Sequence, residues 1–491
     1  MNQKLIYPSF IDLDDDFIEL EYIANSYLGY LKNAFQKISK KKTVLPKKST
    51  VVTLSLQNEW IGKLNDFLNE IKKSKKEAII KSNNLIDLLQ LEKAKDASYY
   101  FLRSLSGVIG SLVTATDWQS PGFNHSLYSE AGSQTGKTIA TINDYKRDWH
   151  LNAQSYEKEY VKEYVEAPFK FLLRALMTNS GMAAFTTIFN FLQMQGLIKS
   201  QILMGKSCYF QYKQILKESL KDKVIEVDEL KTEEIINRIK EIKPSVIFLD
   251  SLSNSKYIPV PNLIKIIDYL KHNYKEEIYL VIDNTGLSVN FQPFKLLGIR
   301  GKIHLIVFES LMKYVHLGLD RVTGGVIVAG GADGGKLFEC RKHLGTNIAD
   351  ASVYAFPKPN RYFLKNRLQR LQRNASFLAS SLQSFLAKQK KCSVKRVIYP
   401  GRGSFFNLEF DKNHSNTKNY NRFIKIAVSL AQKNDFQLVA GTSFGLNHTR
   451  IYLTSLWSNY GIPFLRISTG TENIRQMEVL KGILIKTMEI F

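Results

Sequence analysis

The sequence predicts an α/β protein with a large domain built on a mostly parallel, helix-covered sheet. A smaller C-terminal α+β domain follows it, and a helical N-terminal extension precedes it. Three observations carry this. Residues 150–345 alternate between helical periodicity and short β-branched runs, the signature of strands separated by crossover helices. Residues 1–100 hold apolar residues at three-to-four spacing with few glycines. Residues 360–491 begin with a long amphipathic stretch and continue into short strands and a last helix.

Within the extension, 11–40 and 60–95 carry the helical spacing, separated by a basic stretch with Pro46. Residues 110–145 turn polar and glycine-rich, which reads as loop or arm. In the large domain, helices are expected over 156–177, 182–195, 230–241 and 262–274. Strands are expected over 201–204, 224–227, 246–249, 278–282, 303–308 and 325–328. The C-terminal part is expected to hold a helix over 361–389, strands over 404–410, 437–439 and 463–468, and a final helix. The domain boundaries implied are 1–135, 136–350 and 351–491.

Composition narrows the function. The 491 residues are 44% hydrophobic and 12% aromatic, which excludes disorder along the whole chain. Three cysteines exclude a disulfide-stapled fold and a metal site built on paired cysteines; no metal is expected. No apolar run has the length of a membrane span, and Asp12, Asp14, Asp15 and Asp16 lie where a signal peptide would be basic. A soluble, cytoplasmic protein is expected.

The net charge of +23 is concentrated late: residues 301–491 contribute +17 of it, and 351–408 contain no acidic residue. Such a patch could bind nucleic acid or another polyanion. Arg361, Lys365, Arg367, Arg370 and Arg373, however, interleave with Leu364, Leu368 and Leu371 at helical spacing. That reads as an amphipathic helix with a solvated basic face, and a nucleic-acid partner is not expected.

The segment 131–138, Ala-Gly-Ser-Gln-Thr-Gly-Lys-Thr, looks like a phosphate-binding loop. It lacks the first glycine and follows polar loop instead of a strand, so it is set aside.

The chemistry sits past the strand ends, where α/β folds bind ligands. Asn254 follows one strand, Asp283 the next, and Ser310-Leu311-Met312-Lys313 the third. Ser180-Gly181-Met182 opens a helix with small residues, an anion site by geometry. Pyridoxal phosphate needs these groups: a Schiff-base lysine (Lys313), a carboxylate for its ring nitrogen (Asp283), a phosphate cradle (Gly181, Met182, Ser310) and a donor near its phenolic oxygen (Asn254).

With these residues in order, the chain over about 140–480 resembles the pyridoxal-phosphate enzymes of Cys/Met metabolism. These include cystathionine γ-synthase, the cystathionine lyases and methionine γ-lyase. Ser180 to Ala184, Asp283-Asn284-Thr285, Ser310 to Tyr314, Asp320 and Gly324 match its motifs. Arg466 to Glu472 and Ser443-Phe444-Gly445 match two more. The resemblance implies a fold-type I PLP-dependent transferase that performs β/γ-elimination or γ-replacement on an L-amino acid. Lys313 would move protons, and Tyr209, with Tyr212 as rival, would stack on the ring and assist the leaving group. Asn254, Ser443 and Arg466 would bind substrate. Tyr145 and Arg147 would reach the phosphate of a neighbouring subunit in a homodimer or homotetramer. An aminotransferase and a nonenzymatic polyanion-binding protein are the alternatives.

The chain departs from the family at four points. Met312 replaces a hydroxyl, and Gly318 stands where a histidine is frequent. Asn447-His448-Thr449-Arg450 replaces a longer segment bordering the substrate pocket. The extension of about 130 residues is itself atypical.

Overall fold

A computed structural model describes residues 5–40, 47–80, 84–115, 151–298, 301–454 and 463–491. Tyr145, Arg147 and the 131–138 segment lie outside the described residues.

Three long helices open the fold: α1 (Ile6–Lys40), α2 (Lys47–Ile80) and α3 (Leu85–Val113). The second predicted helix is in fact two. α2 starts directly after Pro46, and α3 starts where the Asn84 side chain accepts the amide of Ile86 and caps it. Leu13, Phe17, Leu20, Leu64, Ile71, Leu102 and Ile109 close one apolar core between the three. That core also takes in Leu317 and Leu319 from far downstream.

Next come α4 (Leu151–Tyr164), β1 (Leu173–Thr178), α5 (Gly181–Met194), β2 (Ile202–Gly205), α6 (Phe210–Leu220), β3 (Val224–Val227), α7 (Thr232–Ile242), β4 (Val246–Asp250), α8 (Leu263–Asn273), β5 (Ile278–Asp283), β6 (Ile303–Ser310), β7 (Gly325–Gly330) and α9 (Gly331–Leu344). The single helix expected over 156–177 is corrected. It stops at Tyr164, ahead of Pro168, and 173–178 is a strand. Leu-Arg-Ala-Leu-Met favours helix by propensity, but pairing along the whole of β7 overrides it. Sequence periodicity also missed α6 and the glycine-bearing α9.

The seven strands run in the order β1-β7-β6-β5-β4-β2-β3. β6, β5, β4, β2 and β3 are parallel, and β7 lies antiparallel between β1 and β6. Phe185, Phe191, Leu216 and Leu337 pack α5, α6 and α9 on one face. Tyr156, Tyr160, Ile239 and Ile266 pack α4, α7 and α8 on the other. Register matches Asp250 to Asp283 and Asp283 to Phe308, so three carboxyl ends finish level and open one crevice.

The remainder comprises α10 (Asp350–Val353), α11 (Arg361–Leu386), β8 (Val394–Ile398), β9 (Phe405–Phe410), α12 (Thr417–Lys433), β10 (Val439–Ala440), β11 (Arg450–Thr454), β12 (Phe464–Ser468) and α13 (Ile474–Ile490). Its sheet, β10-β11-β12-β9-β8, is antiparallel except for the β10–β11 pair. Leu382, Phe406, Phe423, Leu465 and Leu480 form its core.

The basic face of α11 is not solvated along its length, which corrects the expectation. Arg367 has a side chain with 0% exposure and pairs with Glu19 at 2.8 Å. Arg370 pairs with Asp12 at 3.3 Å, and Arg373 with Asp12 at 2.8 Å. The acids of α1 neutralise part of the late positive charge, so these arginines are not available to a polyanion. Among the described residues, no helix is long and apolar enough to cross a membrane.

Candidate active site

The level strand ends, the α5 N-terminus and the C-terminal sheet enclose a cavity of about 660 Å³. Gly181, Met182, Tyr209, Asn254, Asp283, Ser310, Lys313, Ser443 and Arg466, all expected from sequence, line it.

The floor is β5. Its last residue, Asp283, accepts the amide of Thr285 at 2.9 Å, and the Thr285 hydroxyl accepts the Ser310 amide at 2.9 Å. Burial pushes the Asp283 carboxyl up to about 6, although the Thr285 hydrogen bonds and Lys313 oppose this. Lys313 leaves the end of β6, and its Nζ donates to Ser443 Oγ at 2.9 Å. Burial pulls this amine down to about 8.

The wall at α5 is a backbone cradle. Ser180 caps the helix through the amide of Ala183, and the first-turn amides of Gly181 and Met182 have no acceptor within the helix. A Cβ on Gly181 would lie 2.8 Å from Ser310 Cβ, so only glycine lets the turn sit against the strand end.

Tyr209 and Tyr212 separate cleanly. Tyr209 caps α6 at the cavity rim, where burial and the facing Asp283 push its phenol up to about 12. Tyr212 lies in the core beneath, stacked on Phe185 and bonded to Asp250.

Opposite them, Arg466 rises from β12 with only 1% exposure. Its guanidinium lies 4.0 Å from the Phe405 ring centroid and donates to the side-chain oxygens of Asn407, at 3.0 Å, and Asn254. Both partners are neutral amides, so the positive charge is oriented but not neutralised.

Three functional candidates were not found in the sequence. Asp250, paired in register with Asp283, accepts the Tyr209 amide at 3.0 Å and is pushed well above the carboxylate range by burial and Asp283. An Asp closing a strand four residues ahead of Asn254 was the available signal. His316 is fully buried; it donates from Nε2 to Met312 O at 2.6 Å and accepts the Gly318 amide on Nδ1 at 2.9 Å. Burial and the nearby Arg367 hold it down at about 4, so it is a neutral brace in the turn after Lys313. Arg367 reaches the same region from α11, donating to the carbonyl of Gly445.

The donor set fits pyridoxal phosphate. It supplies an amide cradle that a Cβ would close, a carboxylate on the floor and an amine of lowered basicity in one enclosed space.

Comparisons with known proteins agree. The bifunctional enzyme flvA of Aspergillus flavus is 22% identical over 323 residues, covering 63% of this chain and 38% of that protein. The chain therefore matches well under half the length of that curated relative. A cystathionine γ-synthase from Xanthomonas oryzae pv. oryzae, solved with cystathionine, superposes with a TM-score of 0.56 at 17% identity. That likeness covers 72% of this chain and 90% of the other. A cystathionine γ-lyase from Lactobacillus plantarum, solved with L-serine, gives 0.56 at 16% identity over 79% and 99%. These likenesses show the fold. The Cys/Met metabolism PLP-dependent enzyme family matches residues 119–449, about two-thirds of the sequence, and the chain belongs to that family.

Proposed function

We propose that the protein performs β- or γ-elimination, or γ-replacement, on an L-amino acid carrying a leaving group. The observation that carries this is one cavity lined by a lysine of lowered basicity, an arginine cradled by neutral amides, and Asp283.

Bound pyridoxal phosphate supplies an electron sink for the pair released at Cα. The residues do the rest. Gly181 and Met182 with Ser310 would hold the phosphate through backbone amides and a hydroxyl, Asp283 would serve the ring nitrogen, and Asn254 would serve the phenolic oxygen. Arg466 takes the substrate carboxylate with two parallel hydrogen bonds, exchanging the Asn254 contact for an anion. Lys313 takes the Cα proton. With its amine near 8, about a tenth is unprotonated at pH 7, enough for a general base. For γ-chemistry it removes a second proton at Cβ. Tyr209 remains protonated at neutral pH because burial holds its phenol high, so it serves as a donor to the leaving group. Ser443 fixes the Lys313 amine between these steps. Tyr145 and Arg147 are assigned to the phosphate of a neighbouring subunit, which requires a homodimer or homotetramer; an active monomer on gel filtration would contradict this.

The test is a panel of amino acids with sulfur, ester and halide leaving groups, assayed for ammonia, keto acid and released group. The cofactor absorbance, near about 420 nm and abolished by borohydride, is followed alongside. Lys313→Ala is expected to lose that reducible band and about 10³-fold or more in turnover. A protein with no such band sinks the reading, and transfer that needs an amino acceptor moves it to an aminotransferase.

A further inference from the structure

The strap 443–447 is held in an unfavourable backbone conformation. Ser443, a non-glycine residue, has φ of +83°, and Gly445 has φ of +81°. Such geometry persists only where the surroundings over-determine it. On one side the strap meets the Lys313 turn. A Cβ on Gly445 would lie 2.0 Å from Lys313 O, and one on Gly318 would lie 1.9 Å from Asn447 Oδ1. On the other side stands Arg367, whose Nε and Nη2 donate to Gly445 O at 3.3 and 3.2 Å. Its Nη2 also donates to Asn447 Oδ1.

The Arg367 guanidinium is fully buried, and Glu19 of α1 pairs with it at 2.8 Å. Glu19 also accepts the hydroxyl of Tyr99 from α3. A continuous series of contacts thus runs from the N-terminal helices through one arginine to the strap carrying Ser443 and on to Lys313. The residues at which the chain departs from its family, 447–450, lie against the same helices. His448 is mostly buried, with Lys95 and Asp96 of α3 acting on it.

We infer that Glu19, acting through Arg367, is a positioning residue for the substrate strap, so that the N-terminal extension forms part of the active-site scaffold. A guanidinium without its carboxylate is a buried, uncompensated charge. It would turn from Gly445 and Asn447 toward water or another acceptor, and the strained Ser443 would relax away from Lys313. The effect on turnover rests on the proposed function; the effect on the strap does not.

The experiment uses the full-length, cofactor-loaded protein with Glu19→Gln, Arg367→Lys and, as a gentler variant that removes one bond to Glu19, Tyr99→Phe. Amide hydrogen exchange is read at 442–448. Steady-state kinetics are read with the best amino acid of the panel. Expected for Glu19→Gln is exchange at 442–448 faster by about tenfold, KM higher by about tenfold, and kcat within about twofold. Glu19→Asp is expected to recover part of both. Asp12→Asn, which weakens the same interface without touching the strap, is expected to leave exchange at 442–448 and KM unchanged. Exchange and KM equal to wild type in folded Glu19→Gln or Tyr99→Phe overturn the inference, as does an Asp12→Asn variant that shifts both equally. A wild-type protein that turns over no amino acid defeats the proposed function alone; the exchange result still decides the clamp.

Discussion

Two regions of this molecule handle buried and partly buried cations in opposite ways. In the cavity, Arg466 is held by the amide oxygens of Asn254 and Asn407, and Lys313 by the hydroxyl of Ser443. At the seam between the N-terminal helices and α11 and α13, Arg367, Arg370, Arg373 and Arg475 are paired with Glu19, Asp12, Asp16 and Glu92. Neutral partners orient a charge and leave its field for a ligand. Carboxylate partners cancel it and turn it into a fastener. Burial does not separate the arginine proposed for substrate from one that ties elements together, because Arg466 and Arg367 are both almost fully hidden; the charge of the partner does.

The largest effect should come from the fasteners. Asp12 takes two hydrogen bonds from Arg373 and one from the amide of Ile474. Asp12→Ala is expected to lower unfolding stability in urea by about 3 kcal/mol, with KM for the amino acid unchanged. A loss below about 1 kcal/mol would place this seam among ordinary surface pairs. Next, Arg466→Gln should raise KM about 30-fold, near 2 kcal/mol, while the cofactor absorbance remains. An unchanged KM would remove Arg466 from the carboxylate site and with it the contrast drawn above.

A third effect concerns pH. Burial, the largest influence, holds His448 down from 6.5 to about 4, with Lys95 and Arg450 acting in the same direction and Asp96 against it. A depressed folded-state pKa contributes stability above 6.5 that is lost as pH falls through 4. Wild type should therefore lose about 3 kcal/mol more than His448→Gln between pH 7 and pH 4. Asp16, pushed up to about 7 mainly by burial, works with the opposite sign in that window, so only the difference between the two proteins isolates the histidine. Equal slopes would show that the His448 ring is not closed in.

The cavity was the more legible in sequence, for a physical reason. Gly181, Asp283, Ser310 and Lys313 each stand at a strand end or helix start, and those local positions carry their meaning. Asn254 could be read in the same way. Arg466 and Ser443 were found only through a family resemblance, since nothing within five residues of either marks a ligand. Glu19 and Arg367 could not be read at all: they are 348 residues apart, and an arginine on a helical face looks solvated until its partner is seen. The strand β1 was hidden by residues that prefer helix, and only the full pairing with β7 decides it.

The core of the three N-terminal helices incorporates Leu317 and Leu319, and its polar seams close on Arg367 and on the start of α13. These helices lie ahead of the large domain in sequence, yet the contact from Asp12 to Ile474 spans 462 positions. The helices can pack on one another locally, but Leu317, Leu319 and the partners of the polar seam come from segments hundreds of residues further along. The extension thus precedes the large domain in sequence and is completed only by contacts with the C-terminal part. A chain ending before α13 would leave Asp12 without the Ile474 amide and Glu92 without Arg475.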